Sequence, residues 1–232
     1  MKKKIAIFLY DFTGIMARPW LDAGYECWLF DGQHESGIYR DGNLIKVGMW
    51  FYHDQTDAHA QYIADLVGGR ADFIFSFPEC TDLTNAGSKH WAKKLDANPE
   101  FWNEAVSLAR LVEKVADKFG CDKWGAENPV GKLSTLWRKP DFWFDPCDFG
   151  GYLPEDDVHP VYSDVYPPRD AYNKKTGIWC GSGINKPEMS RVEPKDKANP
   201  GWAKCGGKST RTKNIRSSTP RGFSIAMFEA NS

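Results

Sequence analysis

KIAIFLYDFTG, residues 4–14, is the stretch that decides the fold class of this 232-residue chain. The apolar run from Ile5 to Tyr10 predicts a buried strand, Asp11–Gly14 predicts a turn, and a short helix follows as far as Ala23. The apolar run is too short for a secretory signal peptide, and no run in the chain approaches the roughly 18 apolar residues of a membrane span. We therefore expect a cytoplasmic protein that begins with a strand, a turn and a helix.

The alternation of strand and helix continues through the first two thirds of the chain. Apolar runs predict further strands at residues 25–30, 43–52, 73–77 and 122–129, and helical periodicity predicts helices at 55–67 and 101–119. Such alternation is typical of an α/β fold with a mostly parallel sheet and helices on both faces. Ligands of these sheets bind at the carboxyl ends of the strands. The residues at those ends are polar and chemically varied: Asp11–Gly14, Asp31, Trp50–Asp54, Pro78–Cys80 and Glu127–Asn128.

The pattern changes after residue 132, and the change suggests a domain organisation. Residues 1–132 are predicted to form a catalytic core, and 133–213 a small irregular insertion that includes a returning core strand near 174–181. Residues 214–232 are predicted to close the fold with a helix from about Gly222. A zinc site is a weak alternative for the insertion, because its candidate ligands fit no finger or ribbon spacing; they are Cys147, His159, Cys180 and Cys205. We expect no metal.

The first turn and the end of the second strand suggest a nucleoside-cofactor site. Gly14 allows the backbone to approach a ligand, and Asp31 is placed to accept hydrogen bonds from both ribose hydroxyls. The motif is shorter than G-x-G-x-x-G, which disfavours NAD and FAD. Trp50 has two interpretations, a platform that stacks on adenine or an ordinary core aromatic, and the sequence does not choose between them.

Cys80 and Glu127 follow strands that should be neighbours in the sheet. A cysteine beside a strand end is either a small buried hydrophobe or a nucleophile, and alone Cys80 fits both interpretations. Together, a thiolate that adds to a ring carbon and an acid that holds a ring nitrogen can activate a pyrimidine. No histidine lies at a strand end, which disfavours cysteine-protease chemistry.

Positive charge is concentrated late in a chain whose net charge is -1. Between Lys186 and Arg221 there are ten Lys or Arg and three Asp or Glu. The segment is rich in Gly, Ser and Thr, and this composition predicts either a flexible loop over phosphates or a solvated tail. The residues predicted to contact DNA are Lys204, Lys208, Arg211, Lys213 and Arg216.

In motif order the chain resembles DNA (cytosine-5) methyltransferases, particularly the small kind found in phage genomes. LYDFTG and AGYECWLFD look like the cofactor motif and its ribose acid, FPECTDL like the Pro-Cys loop, and AENPVG like the Glu-Asn-Val motif. YNKKTGIWCG is similar to the Gln-x-Arg-x-Arg strand, and STPRGFSIAMFEAN to the closing motif. The resemblance implies a Rossmann-like methyltransferase fold, S-adenosylmethionine as cofactor and double-stranded DNA as partner.

The resemblance also implies roles for single residues. Cys80 would be the nucleophile, Glu127 would bind the base and Asn128 would position it, while Lys174 and Lys175 stand where the family has arginines. The cofactor would be held by Asp11, Phe12, Thr13, Gly14, Asp31, Trp50, Pro78 and Gly222.

The chain departs from the family at three places that keep alternatives open. Lys174 and Lys175 lack the bidentate geometry of arginine, which weakens the expected orientation of Cys80 and the base. Glu79 stands where the family has proline, and a carboxylate beside a thiol raises the pKa of the thiol unless it points away. The insertion is short for a target-recognition domain, and the interpretations are a short recognition site, a dimer, the loss of sequence specificity, or a pseudo-enzyme. The alternatives are an enzyme of the same fold acting on RNA, a free nucleotide or with another transferable group, and a non-enzymatic nucleic-acid-binding module.

Overall fold

A seven-stranded sheet forms the centre of the computed structural model, which describes residues 3–195, 198–207 and 209–232. In chain order the strands are β1 (Ile5–Leu9), β2 (Glu26–Asp41), β3 (Leu44–Gly48), β4 (Phe73–Ser76), β5 (Trp124–Pro129), β6 (Phe142–Phe144) and β7 (Thr176–Cys180). They lie in the order β3-β2-β1-β4-β5-β7-β6. Pairs among β1, β2, β4 and β5 are parallel, whereas β7 is antiparallel to both β5 and β6. The predicted α/β class with a mostly parallel sheet is confirmed, and the architecture is compatible with a Rossmann-like fold.

Helices cover both faces of the sheet. Those that the structure describes are α1 (Arg18–Asp22), α2 (Thr56–Val67), α3 (Trp91–Ala97), α4 (Phe101–Ala109), α5 (Leu111–Phe119), α6 (Leu133–Leu136), α7 (Pro200–Ala203), α8 (Thr210–Ser217) and α9 (Arg221–Asn231). On one face Trp20 of α1 and Met227 of α9 pack against Phe73 and Phe75 of β4. On the other face α2 and α5 pack against the remaining strand side chains, so the sheet separates two apolar cores.

Strand β2 is much longer than the predicted strand at 25–30. Its first half pairs in parallel with β3, from Cys27 opposite Leu44 to Asp31 opposite Gly48. After a bend the partner numbers reverse, and Asp41 is again opposite Leu44. The chain therefore doubles back and places β3 between the two halves of β2. This arrangement depends on long-range pairing and on a tight turn at Gly42, whose φ is 57°.

The single helix predicted at 101–119 is wrong, because the structure has two helices, α4 and α5, that meet at Arg110. The Tyr10 hydroxyl donates a hydrogen bond to the Leu108 carbonyl at 3.1 Å. A side chain that takes a carbonyl from the helical ladder is a recognised cause of kinks. The apolar face has helical spacing throughout, so its periodicity gave no sign of the break.

The predicted loop between 204 and 216 is also wrong in part, because residues 210–217 form helix α8. The Ser209 side chain caps this helix by accepting a hydrogen bond from the Thr212 N–H. Ile215 is fully buried in a small cluster with Tyr166 and Tyr172. The insertion and the start of the closing segment therefore share a small core. The insertion also supplies β6, at 142–144, to the main sheet.

A buried ion triad joins the insertion to the closing helix. Both terminal nitrogens of Arg221 donate to Asp157, at 2.6 and 2.7 Å, and one also reaches Asp170 at 3.3 Å. The Arg221 side chain is 13% exposed and the two acids are 7% and 2% exposed. Removing the arginine would leave two carboxylates buried without a counter-charge.

We expect Arg221→Ala to lower the free energy of unfolding by about 3–5 kcal/mol, because an uncompensated buried charge is costly. The matched control is Arg211→Ala, whose ion pair with Asp164 is 60% and 62% exposed and should contribute less than about 1 kcal/mol. Urea denaturation followed by circular dichroism measures both. Equal effects of the two substitutions would contradict the role given to the triad.

Candidate active site at the carboxyl edge of the sheet

A polar cleft opens where the strand order reverses between β1 and β4. Its volume is about 300 Å³, including the space that opens to solvent. In an open α/β sheet this reversal point is where ligands bind, because the loops of the two strands diverge there. The lining residues come from the ends of β1, β2 and β4 and from the region of α8: Tyr10, Asp11, Phe12, Thr13, Asp31, Gln33, Phe77, Asn214, Ser217 and Thr219.

Asp11 is the most constrained side chain of this cleft. Its Oδ1 accepts hydrogen bonds from the Gly14 N–H at 2.7 Å and from Thr13 Oγ1 at 3.2 Å. Gly14 has a φ of 69°, so the turn requires glycine there. The Asp11 Oδ2 is buried and has no hydrogen-bond partner. Burial raises the pKa of Asp11 from 3.8 to about 6, and the nearby Asp31 adds to the increase. A buried carboxylate oxygen without a donor is a group to which a ligand can bind.

Asp31 lies at the end of the first half of β2 and is buried. Its Oδ1 accepts a hydrogen bond from the Gln33 N–H at 2.7 Å, and burial raises its pKa. Trp50 lies next to it and is 63% exposed, so the interpretation of Trp50 as a core aromatic is wrong. The indole covers Gly32 so closely that a Cβ at Gly32 would lie 2.2 Å from the ring. The glycine thus allows a flat aromatic surface beside Asp31.

The charge of the cleft restricts what can bind in it. Its lining includes two carboxylates, and among the lining residues that the structure describes there is no Lys, Arg or His. A phosphate group would be repelled by the acids and would find no cation. A ligand with a positive charge and hydroxyl groups fits this set of acceptors.

A second cluster lies beside the cleft, at the ends of β4 and β5. These two strands are paired, with Ser76 opposite Ala126, as the sequence predicts for neighbours. Pro78 and Cys80 follow one strand, while Glu127 and Asn128 end the other. Asn128 is fully buried, and its Nδ2 donates to the Pro78 carbonyl at 3.3 Å. This bond gives Asn128 a positioning role toward the loop of Cys80.

The loop of Cys80 is also fixed by its own backbone. The Cys80 carbonyl accepts hydrogen bonds from the N–H groups of Leu83 and Thr84. Further along, the Leu83 carbonyl accepts from the Lys132 N–H at 2.6 Å, and Thr84 forms a bridge with Gly131. The loops after β4 and β5 are therefore joined to each other, which holds Cys80 and Glu127 on one edge.

Lys174 provides the positive charge of this cluster. Because β7 is antiparallel, with Thr176 opposite Pro129, the residues that precede β7 lie at the carboxyl edge of β5. The Lys174 amine donates to the Arg216 carbonyl at 3.2 Å. Its charge lowers the pKa values of both Cys80 and Glu127. Lys175 is exposed.

The thiol and the acid are both shifted toward their protonated forms. The pKa of Cys80 is raised to about 11, chiefly by burial, with Lys174 opposing the increase and the carboxylates of Glu127 and Glu79 adding to it. Burial also raises the pKa of Glu127. A protonated Glu127 is a hydrogen-bond donor, and an unreacted Cys80 is a thiol that must lose its proton to act as a nucleophile.

Two of the predicted cofactor residues take structural roles. Gly222 does not line the cleft: its N–H donates to Asp170 Oδ2 at 3.1 Å, and a Cβ there would lie 2.2 Å from the Phe149 carbonyl oxygen. Pro78 is buried and contributes its carbonyl to Asn128. The sequence does not predict that Asn214 and Ser217 of α8 line the cleft, because their segment has the composition of a basic loop.

The predicted DNA-contacting residues differ in whether contacts within the protein already occupy their side chains. Arg216 lies 4.0 Å over the Trp202 ring and donates to the carbonyls of Gly201 and Cys205, so it holds α7 against α8. Arg211 pairs with Asp164, and Lys204 donates to the Val165 carbonyl. Lys213 is exposed. Lys208 lies outside the described residues.

No group of three or more His, Cys, Asp or Glu in the described part of the chain could hold a metal ion. Cys147, one of the four candidate zinc ligands, instead directs its sulfur to Asn173 Oδ1 at 3.4 Å. Within the same residue ranges, none of the helices has the length and apolar character that a bilayer span requires.

No protein-family model matches the chain, and no curated protein matches it significantly.

Asp11→Asn should stabilise the free protein while removing the charge that a ligand would use. The folded-state pKa of Asp11, about 6, exceeds the ordinary value of 3.8. The ionised carboxylate therefore lowers the free energy of unfolding above pH 6. This loss of stability disappears as the pH falls through 6 toward 4. The variant should gain about 2–3 kcal/mol at pH 7.5 and nothing near pH 4. Asparagine keeps an oxygen for Gly14 and Thr13.

Thermal or urea unfolding at both pH values measures this difference. The matched control is Asp22→Asn, on an exposed acid paired with Arg18, which should change stability by less than about 1 kcal/mol at either pH. A variant less stable than wild type at pH 7.5 would show that the Asp11 charge is compensated in the free protein.

Proposed function

We propose that this protein is an S-adenosylmethionine-dependent methyltransferase that acts on carbon 5 of cytosine in DNA. The observation that carries the proposal is the joint placement of Cys80, Glu127 and Lys174 on one edge of the sheet, beside a cleft with two acids. This is the set of groups that nucleophilic activation of a pyrimidine ring requires: a thiol, an acid and a cation.

The cleft fits S-adenosylmethionine on three counts. The cofactor carries an ammonium and a sulfonium, and Asp11 presents a buried carboxylate oxygen without a partner. Its ribose has two hydroxyls that Asp31 can accept in charge-assisted hydrogen bonds. It has no phosphate, and the cleft has no basic lining residue in the described part of the chain. The exposed Trp50 indole beside Asp31 offers a surface on which adenine can stack.

The chain's own residues provide the activation. Cys80, once deprotonated, adds through Sγ to C6 of a cytosine flipped out of the duplex. Protonated Glu127 donates to N3, so the charge that develops on the ring is neutralised there. Lys174 favours the thiolate, and Asn128 holds the loop that carries Cys80. When bound, S-adenosylmethionine supplies the electrophilic methyl group for C5. Loss of the C5 proton and departure of Cys80 restore the aromatic ring.

A second candidate is the same chemistry on RNA, single-stranded DNA or a free nucleotide. It is favoured by the structural engagement of Arg216, Arg211 and Lys204, which leaves fewer free cations for a duplex than the sequence suggested. Transfer of tritiated methyl groups to duplex DNA, single-stranded DNA, RNA and dCMP, compared in parallel, separates these substrates. The proposal expects duplex DNA to be the preferred acceptor and 5-methylcytosine to be the product. Product on adenine or on an exocyclic nitrogen would contradict it.

Asp31→Ala tests the cofactor part independently of the nucleic acid. Losing the charge-assisted bonds to the ribose should weaken S-adenosylmethionine binding by about 1.5–3 kcal/mol, measured by isothermal titration calorimetry. Asp41→Ala, which removes an exposed acid at the other end of β2, is the matched control and should leave the affinity unchanged. Equal affinity of the Asp31→Ala variant and wild type would place the ribose acid elsewhere.

A further inference from the structure

Glu79 lies in the loop after β4, on the segment of chain that connects the two parts of the site. It follows Phe77, which lines the cleft, by two residues and directly precedes Cys80. The side chain is exposed, and its Oε1 accepts a hydrogen bond from Thr81 Oγ1 at 3.0 Å. In the part of the chain that the structure describes, no donor is bonded to its Oε2. One carboxylate oxygen is thus held in place while the other is free to accept a proton.

The proposed reaction needs a proton acceptor that the groups named so far do not provide. Glu127 is occupied with N3 of the base and is shifted toward its protonated form by burial. Lys174 is a cation and has no lone pair to offer while protonated. The Tyr10 hydroxyl, on the cleft wall, donates to the Leu108 carbonyl, and burial raises its pKa. The proton on C5 therefore has no acceptor among these three groups.

We propose that Glu79 is the general base that removes the C5 proton after methyl transfer. This inference rests on the proposed function. The free Oε2 of Glu79 takes the proton from C5, the C5–H electron pair forms the C5–C6 double bond, and the C6–S pair leaves on the sulfur of Cys80. The product base regains its aromatic ring, Cys80 is released, and Glu79 passes the proton to solvent, to which it is exposed.

The geometry supports this assignment because C5 must lie between the nucleophile and the methyl donor. C6 is bonded to Cys80, and the adjacent C5 faces the cleft that would hold the cofactor. The Glu79 carboxylate is close enough to Cys80 and to Tyr10, a residue of the cleft wall, to contribute to the raised pKa values of both. The loop is held by the bond from Asn128 to the Pro78 carbonyl and by those from Leu83 and Thr84 to the Cys80 carbonyl, so Glu79 has a defined place.

The assignment also explains why an acid is tolerated beside a thiol. A carboxylate there opposes formation of the thiolate and so slows the first step. If Glu79 had no other role, its removal would speed the reaction. A general base, by contrast, accelerates the step that it assists by about 10²–10⁴-fold. Removing the carboxylate should therefore speed the reaction if Glu79 only opposes the thiolate. It should slow the loss of the C5 proton if Glu79 is the base.

Glu79→Gln is the decisive variant, and single-turnover kinetics on DNA with tritium at C5 of cytosine is the measurement. Methyl transfer from labelled S-adenosylmethionine should proceed at a rate equal to or above that of wild type. Release of tritium to water should fall by at least about 100-fold. A methylated protein–DNA complex that resists denaturant should accumulate, because Cys80 cannot leave. Glu79→Asp should restore part of the release rate.

The matched control is Asp82→Asn, which removes the same charge from the same loop at a side chain that pairs with Lys94. It should release tritium at the wild-type rate. If Glu79→Gln releases tritium as fast as wild type or faster, the assignment of Glu79 is overturned. The proposed function stays intact in that case, provided that the wild-type protein transfers the methyl group. Absence of methyl transfer to cytosine C5 by the wild-type protein would overturn both.

Discussion

The hydrogen bond from the buried Asn128 amide to the Pro78 carbonyl, at 3.3 Å, is the contact on which the site depends. It joins the end of β5 to the end of β4 at the place where the parallel pairing of these strands stops. A single neutral hydrogen bond contributes only about 1 kcal/mol to stability. Its importance is geometric, because it fixes the backbone two residues before Cys80 relative to the residue directly after Glu127. Together with the contacts of Leu83 to Lys132 and of Thr84 to Gly131, it turns two loops into one unit.

The same burial that fixes these groups sets their protonation. Cys80 and Glu127 both have raised pKa values because they lie in a poorly solvated edge, and Lys174 only partly compensates. The raised pKa of Glu127 suits the proposed role of this acid, which is to donate a hydrogen bond to the base. The raised pKa of Cys80 disfavours the thiolate in the free protein, so the proposed reaction requires the thiolate to form when the substrate binds. The Lys174 amine is bonded to the Arg216 carbonyl at the last turn of α8. Helix α8 also supplies Asn214 and Ser217 to the cleft wall, which connects the two halves of the site.

Much of the fold and part of the site could be predicted, because in a parallel sheet the local sequence pattern is enough to locate each strand and its carboxyl end. An apolar run followed by a polar residue marks a strand and its carboxyl end, and these ends lie on one edge whatever the details between them. For this reason Asp11, Asp31, Cys80 and Glu127 were identified from the sequence as residues of that edge. The failures involve contacts between distant segments. The second half of β2 forms only because β3 lies beside it, and α4 ends where the Tyr10 hydroxyl takes the Leu108 carbonyl. Helix α8 has Lys and Arg on its surface, and its composition does not show that it is held by the burial of Thr212 and Ile215.

The central claim is that Cys80 is a nucleophile toward C6 of a pyrimidine, and covalent trapping tests it most directly. Wild-type protein is incubated with S-adenosylmethionine and a DNA duplex in which the target cytosines carry fluorine at C5, which blocks release of the sulfur. The account predicts a complex that resists denaturant, with the nucleotide attached to Cys80 in the peptide map and no complex from Cys80→Ser. Attachment to another cysteine, such as the partly exposed Cys121, or a complex formed equally well by Cys80→Ser, would contradict the account.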